Sequence, residues 1–388
     1  MSEYQYYEFQ AIDNPLSDKD IEVLRNLSTR AQISSTSFIN EYNWGDFKGD
    51  PLKLVEKYFD AFLYVTNWGI HQLMLRIPKK LINLDLAKQY CIGDRAVIYE
   101  RRDHLIFEFT SETDDYEWEE GEGYLSSLIT IRSDLIHGDY RCLYLAWLYS
   151  IQMNEIEEVE EEFEPPVPPG LKKLSAPLES FVDFMRIDND LIAVSAAASV
   201  SKNKTLTDDK KLKSWIKKLP SNEKDEIVFR LINENDPHLG NELQQKFQNE
   251  LSDKHTKKTD ANEPRRIVDL LEKTEAFSKE RQQLIAEQKA KEKAHREREA
   301  AIEREKYLND LDSQQDDIWK KIDSLILTKK PKDYDEAVKL LVDLRDLEKK
   351  NKTTGEFKAR LLEIRNKNYR KPSLISRIDS AGLFYRKK

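Results

Sequence analysis

From Pro264 to Thr328 the chain runs 65 residues with no glycine and no further proline. The two strongest helix breakers are missing, so the stretch is predicted to be helix, roughly 95 Å long if continuous at 1.5 Å per residue. Ile267, Leu270, Leu271, Phe277, Leu284 and Ile285 recur at three- and four-residue spacing. From Gln288 to Ala301 that stripe fades into alanines among Lys, Glu and Arg, and it resumes at Ile302, Leu308, Leu311, Ile318, Trp319, Ile322, Leu325 and Ile326. A strong zipper keeps Leu or Ile in its seam throughout. The middle is therefore read as a solvated helix held by i,i+4 ion pairs, with apolar ends through which 264–328 has a route to a homo-oligomer.

Such a helix accounts for the charge. Charged residues make up 35% of the 388, well above the usual quarter, against 39% hydrophobic. The apolar residues must then concentrate elsewhere, and they do. Residues 1–152 hold four of the six tryptophans and seven of the eleven glycines. Here Tyr4–Ile12 and Ala31–Tyr42 read as strands, and Phe59–Val65 pairs with Ile70–Ile77 across TNWG. Arg95–Tyr99 pairs with Leu105–Phe109 across ERRD. Ser17 caps a helix with Asp18 and Asp20 in its first turn, Pro51 starts a second, and Pro78 opens a helical stretch to Leu86. Two apolar helices over 124–152 close the domain. The fold class expected for 1–153 is α+β, a mainly antiparallel sheet with helices.

Seven glutamates in 155–164 run directly into PPVPPG at 165–170. Like charge and stiff proline mark 154–170 as a linker. A small helical domain is expected at 171–252, with helix over Ser175–Ala198 and three short helices in 207–252. The polar segment 253–263 reads as loose. In 329–388, Tyr334–Lys350 and Glu356–Tyr369 form a helical hairpin across NKTTG, a single tetratricopeptide-like unit. The predicted whole is an α+β front followed by an all-α half.

Net charge divides as −17 over 1–164, −1 over 165–328 and +9 over 329–388. An acidic head and a basic tail make head-to-tail contact an option for the chain. The head is too acidic to be a phosphate surface. In the tail, RNKNYRK at 365–371 and RKK at 386–388 offer cations to nucleic acid, a weak signal among nine acidic residues. No apolar run reaches the roughly 18 residues of a membrane span, and the N-terminus lacks the pattern of a signal peptide. Two isolated cysteines, Cys91 and Cys142, make no zinc site and no disulfide framework. The expected location is the cytoplasm.

Phosphate-cradling glycine loops are absent, as is a paired-histidine metal motif. His137-Gly138-Asp139 offers a base beside a carboxylate, but reads better as a helix–helix turn. GDFKGD at 45–50, behind Trp44, reads as a tight turn feeding the Pro51 helix. Neither a metal nor a cofactor is expected.

The opening YYEFQAID and WGDFKGD, with the ending KPSLISRIDSAGL, resemble an uncharacterised bacterial protein family. The ending is also similar to the C-terminal tail of some bacterial SWIM zinc-finger proteins, whose zinc-binding Cys and His pattern does not occur here. The resemblance implies a shared docking tail, so a tail-sharing zinc-finger protein joins the expected partners. The interaction residues it marks are Trp44, Asp46, Phe47, Lys48 and Asp50 in front, and Lys371, Pro372, Leu374, Arg377 and Leu383 behind. Physically, Leu374, Ile375, Ile378 and Leu383 form an apolar stripe that serves either a partner or the chain's own hairpin. The function expected is a non-enzymatic protein-interaction or assembly factor. Two alternatives stand beside it: a nucleic-acid-associated accessory factor of a helicase or zinc-finger system, and a hydrolase or nuclease using front-domain carboxylates with His137 or His71.

Overall fold

The computed structural model describes residues 3–114, 119–155, 162–201, 209–233, 238–252, 264–352 and 355–383. The segment 253–263, most of the glutamate run at 155–164 and the terminal RKK at 386–388 lie outside them. The chain divides into two compact units, Met1–Glu280 and Arg281–Lys388.

The first unit is built on strands β1 (Gln5–Gln10), β2 (Gln32–Ile33), β3 (Ser37–Tyr42), β4 (Ala61–Thr66), β5 (Ile70–Pro78), β6 (Ala96–Glu100) and β7 (His104–Glu112). They form one sheet, order β2-β3-β1-β4-β5-β7-β6, with every pair antiparallel. The two predicted hairpins are β4–β5 and β6–β7. Register is fixed by aromatic rings: Phe9 lies opposite both Phe38 and Phe62, with centroids 5.6 and 4.5 Å away. A slip of one residue would turn all three out of the core.

On that face sit α1 (Asp18–Leu27) and α2 (Pro51–Lys57). Ser17 and Asp20 close a reciprocal capping box on α1, and Asp50 caps α2. The other face is covered by α3 (Leu84–Lys88), α4 (Tyr124–Leu128), α5 (Thr130–Ile136) and α6 (Arg141–Gln152), followed by α7 (Ala176–Met185) and α8 (Asn189–Ala198). The stretch expected as two helices over 124–152 is thus three. Every side chain of α6 from Arg141 to Ile151 is buried, as its all-round apolar sequence requires. Leu63, Leu73, Leu75, Phe107 and Phe109 meet Tyr144, Trp147 and Leu148 there, each contributing about 2 kcal/mol of burial.

Phe181, Phe184 and Leu191 from α7 and α8 join the same core, as do Ile267 and Leu270. The end of the acidic stretch also lies against it. Glu164 is buried, held by Arg265 at 2.6 and 2.8 Å and by the Tyr144 hydroxyl. Tyr90 donates to the Pro166 carbonyl at 2.6 Å. The three short helices expected in 207–252 are α9 (Asp209–Lys218), α10 (Ser221–Asn233) and α11 (Leu239–Ser252).

The long glycine-free stretch is not one helix. It forms α12 (Ile267–Asp312) and α13 (Gln315–Leu327), broken at Ser313 and Gln314 without any breaker residue. The cause is tertiary. Arg304 pairs with Asp343 and Asp312 with Asn351, whereas Lys321 pairs with Glu336, so the chain reverses between the two helices and brings Leu308, Leu311, Ile322 and Ile326 into one cluster. The cluster is completed by α14 (Pro331–Asn351), α15 (Glu356–Lys367) and α16 (Pro372–Ser380). No helix among the described residues is long and apolar enough to cross a membrane.

Candidate functional site

The loop after β3 is held by its middle. Phe47 packs between Tyr7, Phe38 and Phe9, with centroids 5.0, 5.8 and 6.0 Å away. A Cβ at Gly49 would stand 2.6 Å from that ring, so glycine is required for Phe47 to seat. Asp46 accepts a hydrogen bond from Gln5 Nε2 at 3.1 Å, and Asp50 accepts from the Lys53 amide. With these three committed, Trp44 and Lys48 face solvent, Trp44 being 77% exposed.

The tail residues are differently placed. Leu374 and Ile378 are fully buried in the C-terminal cluster, and Leu383 packs against it. Lys371 Nζ donates to the Ile326 carbonyl at 3.0 Å, while Pro372 occupies the first turn of α16. Arg377 donates to Asp335 at 2.6 Å. The stripe of KPSLISRIDSAGL therefore packs on the chain's own hairpin, one of the two uses its sequence allowed. Front and tail residues fall in different units, the former in Met1–Glu280 and the latter in Arg281–Lys388.

His137 and Asp139 are engaged separately. His137 Nδ1–H donates to the Ser133 carbonyl at 2.6 Å, and Asp139 is gripped by Arg141 at 2.7 and 2.9 Å. His71 sits in a richer setting that its sequence neighbourhood hides. It lies on β5, 1% exposed, stacked on Phe184 at 4.8 Å, with Nδ1 donating to the Phe184 carbonyl at 2.8 Å. Its Nε2 is 3.0 Å from Arg186 and 2.8 Å from Glu119. Burial drives its pKa down, assisted by Arg186 and opposed by the Phe184 carbonyl and Glu119. A ring whose nitrogens are both engaged fixes the turn after α7 to the sheet. Arg186 holds that turn with a left-handed backbone, φ 57°.

Missed altogether by sequence reasoning is a chain of ions from the sheet to α11. Asp60 accepts from the Ile12 and Asp13 amides at 2.6 and 2.9 Å and from Arg76 at 2.8 Å. Asp13 is forked by Arg132 at 3.0 and 2.5 Å and lies 2.9 Å from His238 Nε2. Burial raises the Asp13 pKa, but the bonds from His238 and Arg132 outweigh it and hold the carboxyl at about 2. The one sequence signal was Asp13, the last letter of YYEFQAID. Its partners lie up to 225 positions away and carry no local pattern.

Neither thiol is poised to react. Burial pushes Cys91 up to about 12 and Cys142 well above its ordinary value. No three His, Cys, Asp or Glu side chains group as metal ligands among the described residues.

The largest exposed feature is within α12. Every residue from Lys279 to Glu303 is exposed, including Leu284, Ile285 and Ile302. Ion pairs at i,i+4 spacing lie along this part of the helix: Glu275–Lys279 at 2.6 Å, Lys293–Glu297 at 4.0 Å and His295–Glu299 at 3.3 Å. Such pairs contribute only about 0.3–0.5 kcal/mol each. They keep a helix formed without giving its surface an intramolecular use. Beyond it, the cations of the C-terminal cluster are widely paired: Arg304 with Asp343 and Asp346, Lys321 with Glu336, Arg365 with Asp379, Lys367 with Glu363. Comparison with protein-family models, curated proteins and solved structures finds no match.

Proposed function

We propose that the protein is a non-enzymatic interaction or assembly factor that holds protein partners on the exposed arm of α12 and on the helical cluster after it. The observation that carries this reading is the arm itself, 25 consecutive exposed residues, 279–303, with three large aliphatic side chains in water. A helix face of this kind is either a solvated strut or a surface for another helix, and Leu284 and Ile285 favour the second. Partners include a further copy of the chain or a protein sharing the KPSLISRIDSAGL tail. Pairing of the C-terminal cations with carboxylates supports a protein partner over phosphate, because a phosphate would have to displace them.

The test uses the full chain carrying Leu284→Glu, Ile285→Glu and Ile302→Glu. All three positions are exposed, so far-UV circular dichroism should stay unchanged while sedimentation or cross-linking shows loss of self-association or of a co-purified partner. Unaltered association in this variant would overturn the reading. So would a purified turnover activity abolished by His71→Ala. Salt-dependent retention on DNA or RNA would instead favour the accessory-factor alternative.

A further inference from the structure

Helices α9, α10 and α11 enclose an open apolar cavity of about 630 Å³. Its walls are Leu212, Trp215, Ile216, Ile227, Val228 and Leu243. No residue of α10 is buried, although five of its thirteen are large and apolar; Val228 is 52% and Leu231 63% exposed. A soluble helix normally covers such a stripe with its neighbours. Here Ile227, Val228 and Leu231 stand at the i, i+1 and i+4 positions of one stripe that the neighbouring helices leave open.

The α9 side of the groove is basic. On the α9 wheel, Leu212, Trp215, Ile216 and Leu219 form the inward stripe, with Lys211 and Lys218 on one flank and Lys213 and Lys217 on the other. None of these four lysines has a carboxylate within ion-pair distance among the described residues, whereas Lys80, Arg230 and Lys246 on this unit all do. Lys224, which lines the groove, spends its Nζ on the Lys217 carbonyl at 3.1 Å. Lys217 and Lys218 also suit the C-terminal end of the α9 dipole, but Lys211 and Lys213 do not lie there.

We propose that this groove binds an acidic amphipathic helix of a partner protein. Apolar side chains at i, i+3, i+4 and i+7 fill the cavity, and flanking Glu or Asp meet the lysines on both sides of the α9 stripe. The apolar floor argues against nucleic acid, which needs phosphate contacts and stacking surfaces, and the groove offers Trp215 alone, its indole N–H bound to Glu250 at 2.9 Å. A second copy presenting the same basic α9 would meet lysine with lysine. The site stands independently of the α12 arm.

The experiment titrates full-length protein into a labelled acidic peptide of about 20 residues with Leu at that spacing between glutamates, read by anisotropy. Parallel titrations use the peptide with Lys replacing Glu, and a single-stranded RNA. Saturable binding of the acidic peptide is expected, with Val228→Glu weakening it at least about tenfold. Reversal at Lys211, Lys213, Lys217 and Lys218 to Glu should weaken it similarly and flatten its salt dependence. Val228 is half exposed and the lysines are exposed; should Val228→Glu disturb the melt, the lysine reversal carries the test. Equal binding of the Lys peptide, absence of saturable binding, or no effect of lysine reversal overturns the proposal. RNA binding that is lost on lysine reversal but kept in Val228→Glu, or a dimer abolished by Val228→Glu, does so as well.

Discussion

Asp13 shows how much one side chain can decide. Its folded pKa, about 2, lies below the unfolded value near 3.9, so its contribution is present above about pH 4 and is lost as pH falls toward 2. The shift corresponds to roughly 2 kcal/mol at neutral pH. Asp13→Asn should lower stability by about that much or more at pH 7, since Arg132 would keep a buried charge with a poorer partner. The difference from the parent should shrink on titration from pH 4 to 2, as measured by urea unfolding; a constant difference across that range would contradict the assignment. The front loop supplies a second contrast. Gly49→Ala should destabilise by about 1–2 kcal/mol by pressing on Phe47, while Trp44→Ala should stay within about 0.5 kcal/mol. Sequence alone marked this loop as a turn but not Phe47 as its anchor, because the rings that receive Phe47 come from β1 and β3.

At the scale of elements, local rules were mostly sufficient. Alternating apolar residues and the turns TNWG and ERRD placed β4–β5 and β6–β7, and Ser17 and Pro51 placed the starts of α1 and α2. They failed at Ser313–Gln314, where neither glycine nor proline stands and the chain still turns. Burial there decides, so Ile322→Ala should destabilise the C-terminal cluster by about 2–4 kcal/mol, while Leu284→Ala on the exposed arm should change stability by less than about 0.5 kcal/mol. Thermal melts followed at 222 nm would separate the two; equal effects would mean that the arm is packed.

The described residues form three apolar clusters with no shared residue, one on each face of the sheet in the first unit and one around α14 in the second. Calorimetry should therefore resolve two transitions, with Ile322→Ala lowering one and Leu63→Ala the other; a single transition moved by both would show one cooperative body. The amino-acid sequence by itself determined the fold class, the hairpins, the solvated middle of α12 and the helical tail. Each of these follows from spacing within a few residues, where periodicity and breaker residues act directly. Tertiary structure alone decided the strand order, the reversal after Asp312, the Asp13–Arg132–His238 chain and the open groove of α9–α11. These depend on which distant faces exclude water together, and no local pattern encodes the choice of partner.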